Sequence, residues 1–159
     1  MKIVVKFGGS SLASAEQFKK VADIIHADPH RRFVVPSAPG KRFDGDTKVT
    51  DMLYACYDLA EADKDFDGAL ADIKARYDEI IEGLGLDLTL DKEFETIHEQ
   101  FRLKAGRNYA ASRGEYLNGI VLANYLGFEF VDAATVIRFD DAGNFEADRT
   151  DLILSSRLK

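Results

Sequence analysis

The apolar positions of this chain follow two rhythms, and the shorter comes first. Ile3-Val4-Val5 is apolar without alternation inside Lys2–Phe7, which predicts a strand buried on both faces. Ser14 and Gln17 have capping-box spacing, and Phe18, Val21, Ala22 and Ile25 then recur on one helical face. Arg32–Val35 is a second short apolar run, closed by Pro36. The opening reads strand, helix, strand: a βαβ unit with parallel strands and a right-handed crossover.

Beyond the loop "PSAPGKRFDGD", Pro36 to Asp46, the period becomes helical. Val49, Met52, Leu53, Cys56 and Leu59 line the inner face of one helix. Phe66–Glu82 and Thr89–Leu103 are two more, rich in charge and separated by the glycines of "EGLGLDLT". They are expected as a peripheral helical insertion, at about 64–105, that builds no sheet. A further helix spans Arg107–Leu126 and stops at Gly127, a residue suited to the left-handed end of a helix. Phe128–Val131 predicts a third strand, and Val136–Phe139 with Asn144–Ala147 predicts a hairpin turning at Gly143. A last helix starts near Asp148 and runs to Lys159. The class is α/β, three-layer α/β/α, with a mostly parallel sheet.

Composition narrows the function classes. The 159 residues suffice for one core, and 46% hydrophobic with 31% charged residues is ordinary for a globular chain. A net charge of −7 opposes nucleic-acid binding, which needs a basic face. The single cysteine, Cys56, sits at helical spacing from Met52, Leu53 and Leu59 and reads as a buried, inert thiol. No stretch approaches the ~20 apolar residues of a membrane span, and no signal-peptide pattern opens the chain. A soluble, cytoplasmic protein is expected. His26, His30 and His98 lack metal-ligand spacing, so no metal site is expected either.

Candidate chemistry begins at K-F-G-G-S-S, Lys6 to Ser11. Gly8, Gly9 and Ser10 follow a strand directly, and glycines allow both the positive φ of an anion-binding nest and close approach of a phosphate. Lys6 would add a point charge to the same anion. The order is neither Walker A nor G-x-G-x-x-G, and a tight βα turn with a snorkelling lysine is the plain alternative. Ser37, in "SAPGK", ends the second strand, so it should converge with Lys6 and Ser10 if the two strands are neighbours. Thr50 begins the next helix, either as its N-cap alone or also facing that crevice. Gly114 and Gly119 lie inside one helix at a cost of ~1 kcal/mol each against alanine. Gly119 would leave a hollow beside Glu115, fit for an ammonium group; an exposed glutamate on a closely packed helix is the alternative.

These segments together resemble one family. "VVKFGGSSL", "VVPSAPGK…KVTDML", "SRGEYLNGIVLANYLG" and "FVDAATVI" occur in the order found in aspartokinases, members of the amino-acid kinase superfamily. The resemblance implies the carbamate kinase-like fold and phosphoryl transfer from ATP, with Mg2+, to the side-chain carboxylate of L-aspartate. That reaction opens lysine, threonine and methionine biosynthesis. It implies Lys6 against the transferring phosphoryl group and Gly8, Gly9 and Ser10 around phosphate oxygens. Ser37 and Thr50 would line the aspartate pocket, and Glu115 would receive the substrate ammonium. It also implies that this is the N-terminal lobe alone, without the ATP-binding half and ACT domains. Such a piece is expected to be inactive alone, to hold no cofactor tightly, and to self-associate through its open sheet edge; a homo-oligomeric parent is expected. Two other readings stand beside it: a different amino-acid kinase, or a non-catalytic anion-binding or interaction module.

Overall fold

The computed structural model describes residues 1–158 and divides the chain into two compact units, Met1–Phe128 and the residues from Glu129 onward. In the first unit, β1 (Ile3–Phe7) and β2 (Arg31–Pro36) flank α1 (Ala15–His26) and pair in parallel. Val5 lies opposite Val34, Lys6 opposite Val35 and Phe7 opposite Pro36. Val5, Phe7 and Val34 pack onto the helical core. The other face carries Val4, 66% exposed, and Val35, 46% exposed. The unbroken apolar run had predicted burial on both faces, but the helices of this unit cover only one.

A 3-10 turn, Gly9–Leu12, joins β1 to α1. Half of the expected capping box forms: the Ser14 hydroxyl accepts from the Gln17 N–H at 3.4 Å. The Gln17 amide turns instead to the Ser10 carbonyl, 3.2 Å away, and so fastens the turn to the helix. Then follow α2 (Val49–Glu61), α3 (Asp67–Gly83), α4 (Asp91–Arg102) and α5 (Arg107–Leu126). α5 ends at Gly127 with φ +70°, as its sequence predicts. Neither α3 nor α4 joins the sheet, yet their inner faces are core: Ile73, Tyr77, Ile97 and Phe101 are buried within the same cluster as Leu53 and Leu117. Each such side chain contributes about 1.5–3 kcal/mol by leaving water. Phe101 meets Tyr57 edge-on at 5.3 Å, and the Tyr57 hydroxyl accepts the Gly106 N–H at 2.9 Å, fixing where α5 begins.

Two predicted β-elements are not formed. Phe128–Val131 has no ladder partner among the described residues, and an extended run becomes a strand only by pairing. In the second unit Val136 belongs to a single helical turn, α6 (Ala133–Val136), because the Asp132 side chain caps it by accepting from Ala134 N–H at 3.0 Å. The predicted hairpin shrinks to one antiparallel bridge, Phe139 to Phe145. Its turn sits where expected, with Gly143 at φ +84°, and the Asp140 carboxylate accepts from the Ala142 and Asn144 amides. α7 (Ala147–Arg157) matches the last predicted helix; the expected end at Lys159 lies outside the described residues.

Cys56 is fully buried on α2, and its thiol is pushed up to about 12, first by burial and then by the negative charge of Asp67. The native protein should therefore leave a disulfide reagent such as DTNB unreacted at pH 8, and titrate one thiol once unfolded in denaturant. Rapid reaction of the native chain would contradict the closed core around α2.

Candidate functional site

In a parallel pair both strands release their chains at the same end, so the loops after β1 and β2 must meet. They meet backbone to backbone. The Ser37 N–H donates to Phe7 O at 3.0 Å, and the Gly40 N–H donates to Gly9 O at 2.8 Å. A Cβ on Gly40 would lie 2.6 Å from Gly9 C and 2.8 Å from Ser10 N, and one on Gly9 would lie 2.9 Å from Ala38 O. Both glycines are required for space. Neither Gly8 nor Gly9 adopts the positive φ expected of a nest; Gly8 is extended at φ −78°. Gly8 is exposed, with nothing within 4 Å of where its Cβ would be, so the outer side of the turn is open.

The other site segments are tied to this junction. The Val49 N–H donates to Pro39 O at 3.0 Å, setting the start of α2 and the position of Thr50. Thr50 is not the N-cap: α2 starts one residue earlier, after an extended Lys48 that makes no side-chain cap. The rest of the loop closes on itself. Arg42 places Nε 2.8 Å and Nη2 3.1 Å from the two Asp46 oxygens, and its backbone N–H donates to the same carboxylate at 2.9 Å. These bonds hold the Asp46 carboxyl well below the usual carboxylate range, with Arg76 adding a smaller attraction.

α5 closes the site from a third side. Gly114 sits where a Cβ would stand 2.7 Å from the Ala38 Cβ, which explains this glycine within the helix. One turn on, fully buried Asn118 donates from Nδ2 to Ser37 O at 2.7 Å; its Oδ1 has no hydrogen-bond partner among the described residues. Glu115, beside Gly114, is exposed, and its charge reaches the buried Tyr77 hydroxyl. Tyr77 donates to Gly114 O at 2.8 Å, and burial, more than Glu115, raises its pKa well above the ordinary value, so it stays a donor.

Lys6, Gly8, Gly9, Ser10, Ser37, Thr50 and Glu115 thus belong to four segments joined by direct bonds or contacts at the carboxyl ends of β1 and β2. Lys6 is exposed on β1, two residues before the turn. Four contributors were not singled out from sequence: Gly40, Arg76, Tyr77 and Asn118. Arg76 and Tyr77 do carry a signal, because Ile73, Arg76, Tyr77 and Ile80 repeat at core spacing on α3. Among the described residues no three His, Cys, Asp or Glu side chains gather as a metal cage, and no helix is long and apolar enough to cross a membrane.

An open βα turn of small residues with a lysine just before it suits an anion, and an exposed carboxylate on the helix joined to the same junction suits a cation. Residues 1–156 match the amino acid kinase family, and the chain belongs to that family. Within it, the chain is similar to Aspartokinase 3 of Bacillus subtilis strain 168, with 64% identity over 53 residues, 33% of this chain and 12% of that protein. It is similar to the solved aspartate kinase of Clostridium acetobutylicum, 45% identical with a TM-score of 0.95 over 99% of this chain and 37% of that one. Escherichia coli aspartokinase III, solved with aspartate and ADP, shares the fold at 22% identity and a TM-score of 0.77, over 99% of this chain and 38% of that one. The chain thus spans less than two-fifths of each of these proteins.

The Arg42–Asp46 pair generates a pH dependence. Asp46, only 9% exposed, has a folded pKa below its ordinary value of 3.8, so its stabilisation is complete above that value and is lost as pH falls through the folded one. Asp46→Asn should lower the melting temperature at pH 7 and progressively less as pH falls below 4. A constant difference across that range in thermal scans would show that the Asp46 charge does not brace the loop.

Proposed function

We propose that this chain is the amino-acid-binding part of an aspartate kinase, with residues 64–105 a helical insertion in that lobe. In the reaction proposed, a side-chain carboxylate oxygen of L-aspartate attacks the γ-phosphorus of ATP, the bond to the β-phosphate oxygen breaks, and 4-phospho-L-aspartate and ADP leave. The observation that carries the reading is the bonded junction of the Gly8–Ser10 turn, the Ser37 loop and the α5 turn bearing Glu115. The 45% identity to an aspartate kinase along nearly the whole chain supports it.

Phosphoryl transfer needs positioning and charge compensation more than a nucleophile from the protein. In this reading Lys6 offsets charge on the transferring group, while Gly8, Gly9 and Ser10 border its oxygens. Ser37 and Thr50 line the acceptor pocket, and Glu115 takes the α-ammonium. No carboxylate cage for Mg2+ is present among the described residues, so no step is assigned to the metal here. The adenine site is assigned to a part of the enzyme outside this chain, which alone should turn over no ATP. The cytoplasm is the proposed compartment.

Calorimetric titration tests the substrate. L-Aspartate should bind, Glu115→Ala should weaken it about tenfold or more through loss of a charge-assisted contact, and Lys6→Ala should change it little. Equal binding of L-glutamate or UMP by the native chain would assign a different acceptor. The open face around Val4 and Val35, with one free edge on each strand among the described residues, also leads us to propose self-association. Light scattering should show a mass that rises with concentration; a monomer throughout would remove that proposal.

A further inference from the structure

Arg76 is the most deeply buried cation of the unit, at 5% exposure, and it points inward from α3. Both terminal nitrogens of its fork donate to the backbone of one loop, and Nη1 also reaches Met52 Sδ on α2 at 3.9 Å. Nη2 donates to Gly40 O at 2.8 Å and Nη1 to Thr47 O at 2.9 Å, while Asp46 Oδ2 stands 3.6 Å from Nη1. One guanidinium therefore grips both ends of the segment that separates Ser37 from Thr50. The adjacent Tyr77 faces the other wall and donates to Gly114 O, next to Glu115. Two consecutive side chains of one helix thus hold the acceptor loop and the α5 turn.

α3 already buries Ile73, Ile80 and Ile81, and a buried guanidinium costs desolvation that an apolar side chain of similar size would not. Burial, with Arg42 nearby, lowers the Arg76 pKa, though a guanidinium remains charged in a protein. What the arginine adds is geometry. A planar fork fixes two carbonyls at a set separation, which a lysine point charge cannot do.

We infer that Arg76 and Tyr77 form a positioning pair that sets the spacing between the Ser37–Thr50 loop and Glu115 on α5. This deepens the substrate reading above and rests on it for its functional meaning, but the clamp itself is a statement about this chain. The pair touches no reacting atom; it acts through the loop and the helix it holds.

The test is amide hydrogen exchange on the 159-residue chain with Arg76→Met, Arg76→Lys and Tyr77→Phe. Arg76→Met should speed exchange across 37–50 about tenfold while α4 amides stay within about twofold, because a local opening is released and the global one is not. Arg76→Lys should fall between native and Met. Tyr77→Phe should speed exchange around Gly114–Asn118 and leave the loop unchanged. Uniform acceleration over the unit, or none in either segment, would overturn the inference. If Arg76→Met does not fold, Arg76→Lys and Tyr77→Phe decide it by the same pattern. L-Aspartate titration of the variants separates the two claims. The clamp predicts weakening of about tenfold for Arg76→Met, partly restored in Arg76→Lys. A native chain that binds no L-aspartate removes the substrate reading and leaves the exchange pattern to judge the clamp.

Discussion

The contact on which the site depends has no side chain in it. Gly9 and Gly40 bring two loops together so closely that the Gly40 N–H reaches Gly9 O at 2.8 Å and a methyl on either would collide with backbone. Everything else is placed from that junction. It fixes the turn after Lys6, it holds the carbonyl of Gly40 where Arg76 can reach it, and it presents Ala38 to Gly114 of α5. Packed interiors deform little, so a displacement at this point would move all the site segments together.

The helical core serves this junction from behind. α2 is started by Pro39, α5 is started by the Tyr57 hydroxyl and stopped by Gly127, and α3 supplies the inward polar groups. The polar atoms buried near the site are mostly satisfied by loop carbonyls. Among the described residues at the site Asn118 Oδ1 is the exception, and an unsatisfied buried acceptor costs about 1–3 kcal/mol. The amide is nonetheless held, because its other end secures Ser37.

Most of the fold was legible because helices are local. The spacing of Phe18, Val21, Ala22 and Ile25, or of Val49, Leu53 and Cys56, needs no knowledge of the partner surface. Strands are not local, and Phe128–Val131 and the Val136–Ala147 hairpin failed for that reason: β propensity is a preference for a neighbour the sequence cannot name. The candidate site was legible in its residue types and less so in their reasons. Gly9 was singled out for positive φ and for the approach of a phosphate, whereas its lack of a Cβ is demanded first by Ala38 O and then by the Gly40 backbone, whose approach follows from strand pairing. Asn118 looks like a surface polar residue until the helix face carrying it is known to be core, and Arg76 shows only that its position shares the core spacing of α3. The family's fold is shared with solved relatives along 99% of the chain, so the geometry stands independently of any one assignment.

The junction's composition also orders its assembly. Both glycines lie within the first forty residues, whereas α5 brings Gly114, Glu115 and Asn118 much later. At a synthesis rate of about 5–20 residues per second, the Gly8–Ser10 turn and the loop after Ser37 leave the ribosome roughly 4–15 s before the helix that closes on them. Through that interval Ala38 and the Ser37 carbonyl face solvent instead of α5, and β1 and β2 can pair before their third wall exists. The ammonium-binding carboxylate proposed here is thus the last of the sequence-predicted site residues to arrive, added to a turn that can already have its shape.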